Sequence, residues 1–280
     1  MSGFVMTAVL FAALLHAAWN ALVKAGGDTF PDTVRVACGA ALVSAATLPF
    51  LALPAAQSWP CLIASAFIHV GYFALVAASY GSGDLSYAYP IMRGTAPLLT
   101  ALAAAALIGD PLGAGGWAGI LIICSAILLL AADQVRRGRF HLPQTLFALG
   151  TAAVICLYTL VDGVGSRLSG NAFSYVGWML VLNAVLLVAF LSVRHRAGWA
   201  RQLRARWQFG IGGGGCAWAS YAIVLWAMTR APLALVAALR ETSVIFGAIL
   251  AAVVLGEKFG GVRYAAALLV CAGAVCLKVF

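Results

Sequence analysis

Ten stretches of this chain are each long and apolar enough to cross a hydrocarbon core about 30 Å thick, which takes ~20 residues of helix. They fall at 4–24, 33–53, 60–80, 87–108, 115–132, 145–166, 172–193, 209–229, 233–255 and 262–280. A chain that is 64% hydrophobic and 9% charged, with a mean hydropathy of +1.02, cannot hide that surface inside one soluble globule. In lipid every backbone polar group must be satisfied within the protein, so the stretches are read as helices and the expected fold is all-α and integral to a membrane. Gly and Pro punctuate the joins, as at Gly26-Gly27, Pro54, Pro111, Pro143 and Pro232, and no loop is long enough for a soluble domain. The first stretch starts at residue 4 without a basic leader or a following cleavage site, so it reads as a retained helix.

The chain is also built twice. Residues 79–131 align with residues 226–278 at an offset of 147 positions. This pairs Arg93 with Arg240, Thr95 with Thr242, Gly109 with Gly256, Asp110 with Glu257, Trp117 with Tyr264 and Cys124 with Cys271. Alanine richness produces chance matches, but not these polar ones. Five stretches precede a short basic linker at 133–144 and five follow it, and an odd number inserts the second copy upside down. The expected architecture is therefore ten transmembrane helices as two inverted five-helix repeats, 1–138 and 139–280, in one membrane domain.

A net charge of +9 would suit nucleic acid, but its distribution points to a membrane. Lys24, Arg35, Arg136, Arg137, Arg139, Arg194, Arg196, Arg201, Arg204, Arg206, Lys258 and Arg263 fall at the odd-numbered loops or their edges. Only Arg167, Arg230 and Lys278 fall on the other side, a bias of twelve against three. Cationic loops stay cytoplasmic during insertion, so both termini are expected in the periplasm of a bacterial-type inner membrane. The seven cysteines are scattered through apolar segments without a CxxC pair and read as small core residues. No phosphate loop, nucleophile elbow or HExxH string occurs, so neither a cofactor, a metal nor catalysis is expected.

Charge inside a span is costly and marks function. Arg93 and Arg240 each lie six or seven residues into their stretch, ~10 Å from its start at 1.5 Å per residue. Starting from opposite faces, they are expected to flank one cavity, where guanidinium groups suit a carboxylate, phosphate or phosphonate. The bland alternative is that each long side chain reaches the interface. Glu241 adjoins Arg240 but points ~100° away on a helix, so it is read either as one half of an ion pair stapling helices or as a proton carrier. His16 shares a helical face with Trp19 and Asn20, and serves as a second candidate for proton binding or for substrate contact. His69, with Tyr72 on its face, reads more as a hydrogen-bonded structural residue. Tyr89 and Tyr158 are candidate substrate contacts; Tyr158 with Asp162 one turn on is suited to a cationic amine, and the alternative for Asp162 is simple solvation near its helix end. Pro90, Gly94 and Pro97 are expected to interrupt the fourth helix beside Arg93. The run Gly212-Gly213-Gly214-Gly215 is read as a site of close helix packing, the Asp110 and Glu257 turns as caps, and Trp59, Trp178, Trp199 and Trp207 as interfacial anchors.

Three segments together resemble the EamA branch of the drug/metabolite transporter superfamily over nearly the full length. They are His16-Ala-Ala-Trp19-Asn20 with Lys24, Gly83-Asp84 with Tyr89-Pro90 and Arg93-Gly94 in the fourth stretch, and Arg240-Glu241 with Leu255-Gly256-Glu257 in the ninth. The first copy departs from the small-acidic pair by carrying Gly109-Asp110. The resemblance implies a ten-helix secondary carrier, often an exporter of metabolites such as amino acids, with a central cavity between the halves and cytoplasmic termini. The last point runs against the charge count above.

The combined expectation is a secondary active transporter, an exporter by family default, of a small polar metabolite bearing an anionic group. An amino acid or derivative comes first, and phosphate-, phosphonate- or organic-acid-type metabolites second. A lipid-modifying membrane enzyme or a non-transporting scaffold subunit are the rivals from other classes. The expected partners are the lipid bilayer, the small-molecule substrate and a coupled proton, with no nucleic acid, in a monomer or homodimer.

Overall fold

The computed structural model of the chain describes residues 1–27, 29–81, 85–194, 206–255 and 260–279. Its helices are α1 (Gly3–Gly26), α2 (Thr29–Thr47), α3 (Trp59–Gly81), α4 (Leu85–Ala103), α5 (Ala114–Arg136), α6 (Leu142–Leu168), α7 (Ala172–Arg194), α8 (Trp207–Met228), α9 (Leu233–Arg240), α10 (Ser243–Leu255) and α11 (Gly261–Val279). Ten spans among the described residues are long and apolar enough to cross a membrane, with α9 and the start of α10 together forming the ninth. Of the residues singled out above, Gly83, Asp84, Arg196, Trp199, Arg201, Arg204, Gly256, Glu257, Lys258 and residue 280 lie outside the described set.

Local chemistry sets the ends of these helices. The Ser2 hydroxyl accepts from the Val5 amide and caps α1, while Gly27 closes it with φ 87°, a conformation open to glycine. His141 Nδ1 accepts from the Gln144 amide at the start of α6, whose first turn carries Pro143. The end of α4 widens into a π-helical turn over Ala104–Ile108 and stops at Gly109 with φ 73°.

Small residues let the helices meet closely, which is how spans associate when lipid removes the usual hydrophobic drive. A Cβ placed on Gly39 of α2 would lie 1.9 Å from the Gly210 carbonyl oxygen of α8. One on Gly214 would lie 2.2 Å from the Ala40 amide nitrogen, whereas Gly212 and Gly215 face open space. Half of the four-glycine run thus serves packing. At the crossing of α5 and α11 the contact is reciprocal, with a Cβ on Gly119 lying 3.0 Å from the Gly273 carbonyl oxygen and one on Gly273 lying 3.0 Å from that of Gly119.

The packing partners exchange under the sequence repeat. Helix α1 lies on α8 as α6 lies on α3, α4 lies on α6 as α9 and α10 lie on α1, and α5 lies on α11. Helix α5 starts at Ala114 and α11 starts 147 positions later at Gly261. Consecutive spans alternate in direction, so the ends of α1, α5 and α10 share a side with the starts of α2, α4 and α11.

The expected break at Pro90, Gly94 and Pro97 is not where the chain breaks. Helix α4 runs unbroken through all three residues. Each proline removes one backbone donor, but α4 is clamped between α5 and α6, and packing holds the remaining ladder in place. Gly94 serves that clamp, since a Cβ there would lie 2.8 Å from Leu128 Cγ and 3.2 Å from the Cys124 carbonyl oxygen. The interruption falls instead in the ninth span, between Arg240 and Ser243. There the Glu241 and Thr242 amides donate to Ala238 and Leu239, three residues back, and the Thr242 hydroxyl takes the Leu239 carbonyl as well. A tightened turn inside a helix marks a hinge.

Candidate functional site

Between the halves lies a cavity of about 760 Å³. His16, Trp19, Asn20, Tyr89, Pro90, Arg93, Tyr158 and Arg240 all line it, although they come from four separate helices, α1, α4, α6 and α9. Its wall extends to Lys24, Ser86, Asp133, Gln134 and Arg263, which stand at helix ends on one side of the bundle. The cavity therefore reaches the side that carries the basic loop edges.

Arg93 and Arg240 are not two separated entrances. They converge on Glu241, whose Oε2 is 2.7 Å from Arg93 Nε and whose Oε1 is 3.9 Å from Arg240 Nη2. All three side chains are under one tenth exposed. The stapling ion pair expected as one alternative is thus present, and it joins α4 to the break between α9 and α10. Arg93 also donates from Nη2 to the Ser243 hydroxyl at 3.3 Å, and its Cζ lies 6.0 Å from the Tyr89 ring centroid, at the edge of cation–π range. Arg240 has less. Its 3.9 Å approach to Glu241 is too long for a hydrogen bond, and its Nε makes none either; Arg93 Nε also lacks hydrogen-bond geometry but sits 2.7 Å from the carboxylate. Two buried cations and one carboxylate leave a surplus positive charge on the cavity wall.

A second cluster sits farther along the same cavity. The His69 ring stacks on Tyr158 with centroids 4.4 Å apart, and meets Tyr72 and Tyr221 edge-on at 6.4 and 6.3 Å. Its Nδ1 is 2.9 Å from the Ser65 carbonyl oxygen and 3.2 Å from the Ser65 hydroxyl, which holds the ring against its own helix. Behind these rings lies Asp162. Its expected solvation is corrected by the structure: the residue is 0% exposed and takes hydrogen bonds from the Tyr175 hydroxyl at 3.0 Å and from the Tyr221 hydroxyl. Tyr175 of α7 and Tyr221 of α8 close over Asp162, and this places it inside the bundle although it lies only six residues before the end of α6.

On the opposite side of the bundle three helix ends are tied together. Arg167 grips Asp110 through both terminal nitrogens at 2.9 and 2.8 Å, and donates to the Met228 and Ala231 carbonyls at 2.8 and 3.3 Å. Asp110 Oδ2 also accepts from the Leu233 amide at 2.9 Å and so caps α9, in line with the expected role of its turn. The hydrogen bonds from Arg167 hold the Asp110 carboxyl below the usual carboxylate range. One pair thereby fastens the α4–α5 turn, the end of α6 and the turn between α8 and α9.

Residues 143–279, nearly the whole of α6 to α11, match the family model of the EamA-like transporters. Across its second half the chain belongs to the EamA-like transporter family. A solved crystal structure aligns with 100% of this chain and 99% of its own length, at a TM-score of 0.76 and 20% identity, and shares its fold. No curated protein sequence matches the chain significantly. The family sits in the drug/metabolite transporter superfamily, so the chain is a multi-pass membrane protein of transporter type.

In this EamA-like bundle the residues picked from sequence for substrate contact share one cavity, while Glu241 stands behind it, between the arginines. Gly94 and Pro97 do not line the cavity, and Asn20 spends an amide hydrogen on the His16 carbonyl of its own helix at 2.7 Å. Sequence reasoning underrated His69 and missed Asn183, Tyr221 and Ser243, all in the cavity wall. Asn183 carries a signal that was readable: it is a lone amide in an otherwise apolar stretch of α7, and its Nδ2 has no partner. No group of three His, Cys, Asp or Glu side chains among the described residues is placed to hold a metal ion.

Proposed function

We propose that this chain is a secondary active transporter for a small polar metabolite bearing an anionic group, with an amino acid or amino-acid derivative the first candidate, working by alternating access. The observation that carries this reading is Arg240: a buried guanidinium on the cavity wall, incompletely paired, in a cluster with a surplus positive charge. A carboxylate entering from the cavity supplies the missing acceptors. Asn183 and Ser243 add uncharged polar contacts. Alternating access is supported by the asymmetry of the bundle, which has a cavity reaching one side and the Asp110–Arg167 tie on the other. With the basic loop edges on the cytoplasmic side of an inner membrane, the cavity opens to the cytoplasm, and export is taken as the family's default direction. The two halves are inverted copies meeting at the α5–α11 crossing.

The test is thermal-shift screening of the purified protein against amino acids, organic acids, phosphonates and sugar phosphates. A stabilising ligand is expected among the carboxylates, and its effect should vanish in Arg240→Gln. Arg240 makes one loose contact, so that variant should fold. A hit that stabilises Arg240→Gln as well as the wild type overturns the placement, and a hit confined to phosphorylated compounds overturns the preference for carboxylates.

A further inference from the structure

The site of proton binding is a separate question from the anion site, and Asp162 answers it better than the residues that sequence suggested. Glu241 is already engaged by two arginines, and His16 lines the same cavity wall as those two cations. Asp162 has the reverse setting. It is 0% exposed, yet no salt bridge among the described residues reaches it, and the tyrosines that donate to it are neutral. An ionised carboxylate so placed has hydrogen bonds but no ion-pair partner among the described residues, in a low-dielectric interior where an unpaired charge is costly.

The surroundings limit what could neutralise it. From α3 the groups facing it are Cys61, Ser65 and His69; from α7, Tyr175; from α8, Tyr221. Arg167, five residues along α6, is committed to Asp110 and to the Met228 and Ala231 carbonyls. Arg240 influences Tyr221 from the cavity without an ion pair to Asp162. His69 Nδ1 is held by the Ser65 carbonyl of its own helix. Space for the carboxylate's partners is built in: a Cβ on Gly165 would lie 2.5 Å from the Tyr175 hydroxyl, so only glycine lets that tyrosine cross α6 to Asp162.

We infer that Asp162 is the proton-binding site of this carrier, with Tyr221 as its connection to the cavity. This rests on the carrier reading above and adds the coupled ion to it. Tyr221 lines the cavity and donates to Asp162 Oδ2, so it touches both compartments. A hydronium ion in the cavity gives its proton to the Tyr221 hydroxyl oxygen while the hydrogen that hydroxyl already carries passes to Asp162 Oδ2. The products are water, a neutral tyrosine and a neutral carboxyl group. Once Oδ2 holds a hydrogen it no longer accepts from Tyr221, so the bond between α6 and α8 must reverse or part. Proton uptake thereby acts on the contact between α6 and α8.

Infrared difference spectroscopy of the purified full-length protein between neutral and acid pH tests this without any substrate. The wild type should gain a protonated-carboxyl carbonyl band that is absent from Asp162→Asn and retained in Glu241→Gln. Tyr221→Phe keeps the ring and deletes one donor, and should move the midpoint of that band by about one pH unit. A band that survives in Asp162→Asn and disappears in Glu241→Gln overturns the assignment, as does a midpoint unmoved by Tyr221→Phe. If Asp162→Asn does not fold, the Tyr221→Phe midpoint decides alone. Arg240→Gln should keep the band while losing anion stabilisation, so failure of the proton site and failure of the anion site read out separately.

Discussion

Replacing Glu241 by Gln keeps its shape and removes the one carboxylate that two buried arginines share. Its side chain is 2% exposed, 2.7 Å from Arg93 and 3.9 Å from Arg240. Breaking a buried ion pair so that a charge is left behind costs about 3–5 kcal/mol. Here two charges are left, but both line a cavity that admits water, so a loss of about 3 kcal/mol is expected. Arg93→Gln should be milder, at about 1–2 kcal/mol, because Arg240 is close enough to swing onto the carboxylate. The double variant should cost about 1–2 kcal/mol less than the sum of the two single losses, the mark of a direct interaction. Reversible unfolding in mixed micelles, followed by tryptophan fluorescence, measures all three. A loss in Arg93→Gln equal to or larger than that in Glu241→Gln would refute the shared-carboxylate arrangement, as would additive losses. Glu241→Gln should also bind an anionic ligand more tightly than the wild type, since the ligand then meets two uncompensated cations.

Three further outcomes are expected. Asp110 is held below the ordinary carboxylate range, so its stabilisation is complete above the unfolded-state pKa of about 3.9 and is lost as pH falls through the lower folded value. Asp110→Asn should therefore cost about 2 kcal/mol at neutral pH and flatten the acid limb of the melting-temperature profile, and an acid limb as steep as the wild type's counts against the pairing. Gly39→Ala should lower the melting temperature by pushing α2 from α8, while Gly212→Ala, which meets nothing within 4 Å, should leave it within a degree or so; equal effects would sink the packing assignment. A fluorescent reporter that is silent in the periplasm, fused after residue 280, should leave cells dark, and bright cells would reverse the orientation drawn from the loop charges.

The spans were readable because a helix inside a bilayer is apolar on every face, so its length and limits register in composition alone. The cavity was readable for a different reason. Arg93, Arg240, His16 and Tyr158 are expensive to keep in lipid, and few places in a bundle can accept them. The break in the ninth span was not readable, because neither Pro nor Gly stands there. What ends α9 is competition for its carbonyls by the Thr242 hydroxyl, together with charges at Arg240 and Glu241 that only the fold brings beside Arg93. Prolines at 90 and 97 gave the opposite impression, since a one-dimensional reading sees a missing donor but not the helices that clamp α4. Asp162 was misplaced for a similar reason: closeness to a helix end suggests water, but the helices that bring Tyr175 and Tyr221 over it are not visible in one dimension.

The mismatch at one pair of equivalent positions explains why twin halves yield a site with a net charge. Under the offset of 147 positions Arg93 matches Arg240, and the next residue is Gly94 in one copy and Glu241 in the other. With glycine in both, two buried cations would face each other with nothing between them, at a cost few bundles could bear. With glutamate in both, the charges would cancel and no cation would be left for a ligand. One of each leaves Arg93 neutralised and Arg240 loosely held. The same substitution sorts the helices. Glycine lets α4 press against Leu128 of α5 and stay straight, while the glutamate sits at the start of α10, where its charge favours a helix N-terminus, and Arg240 ends α9, where a cation is favoured. Exchanging the two residues, Gly94→Glu with Glu241→Gly, should not restore anion binding, because a side chain added at position 94 would strike Leu128 rather than reach either arginine.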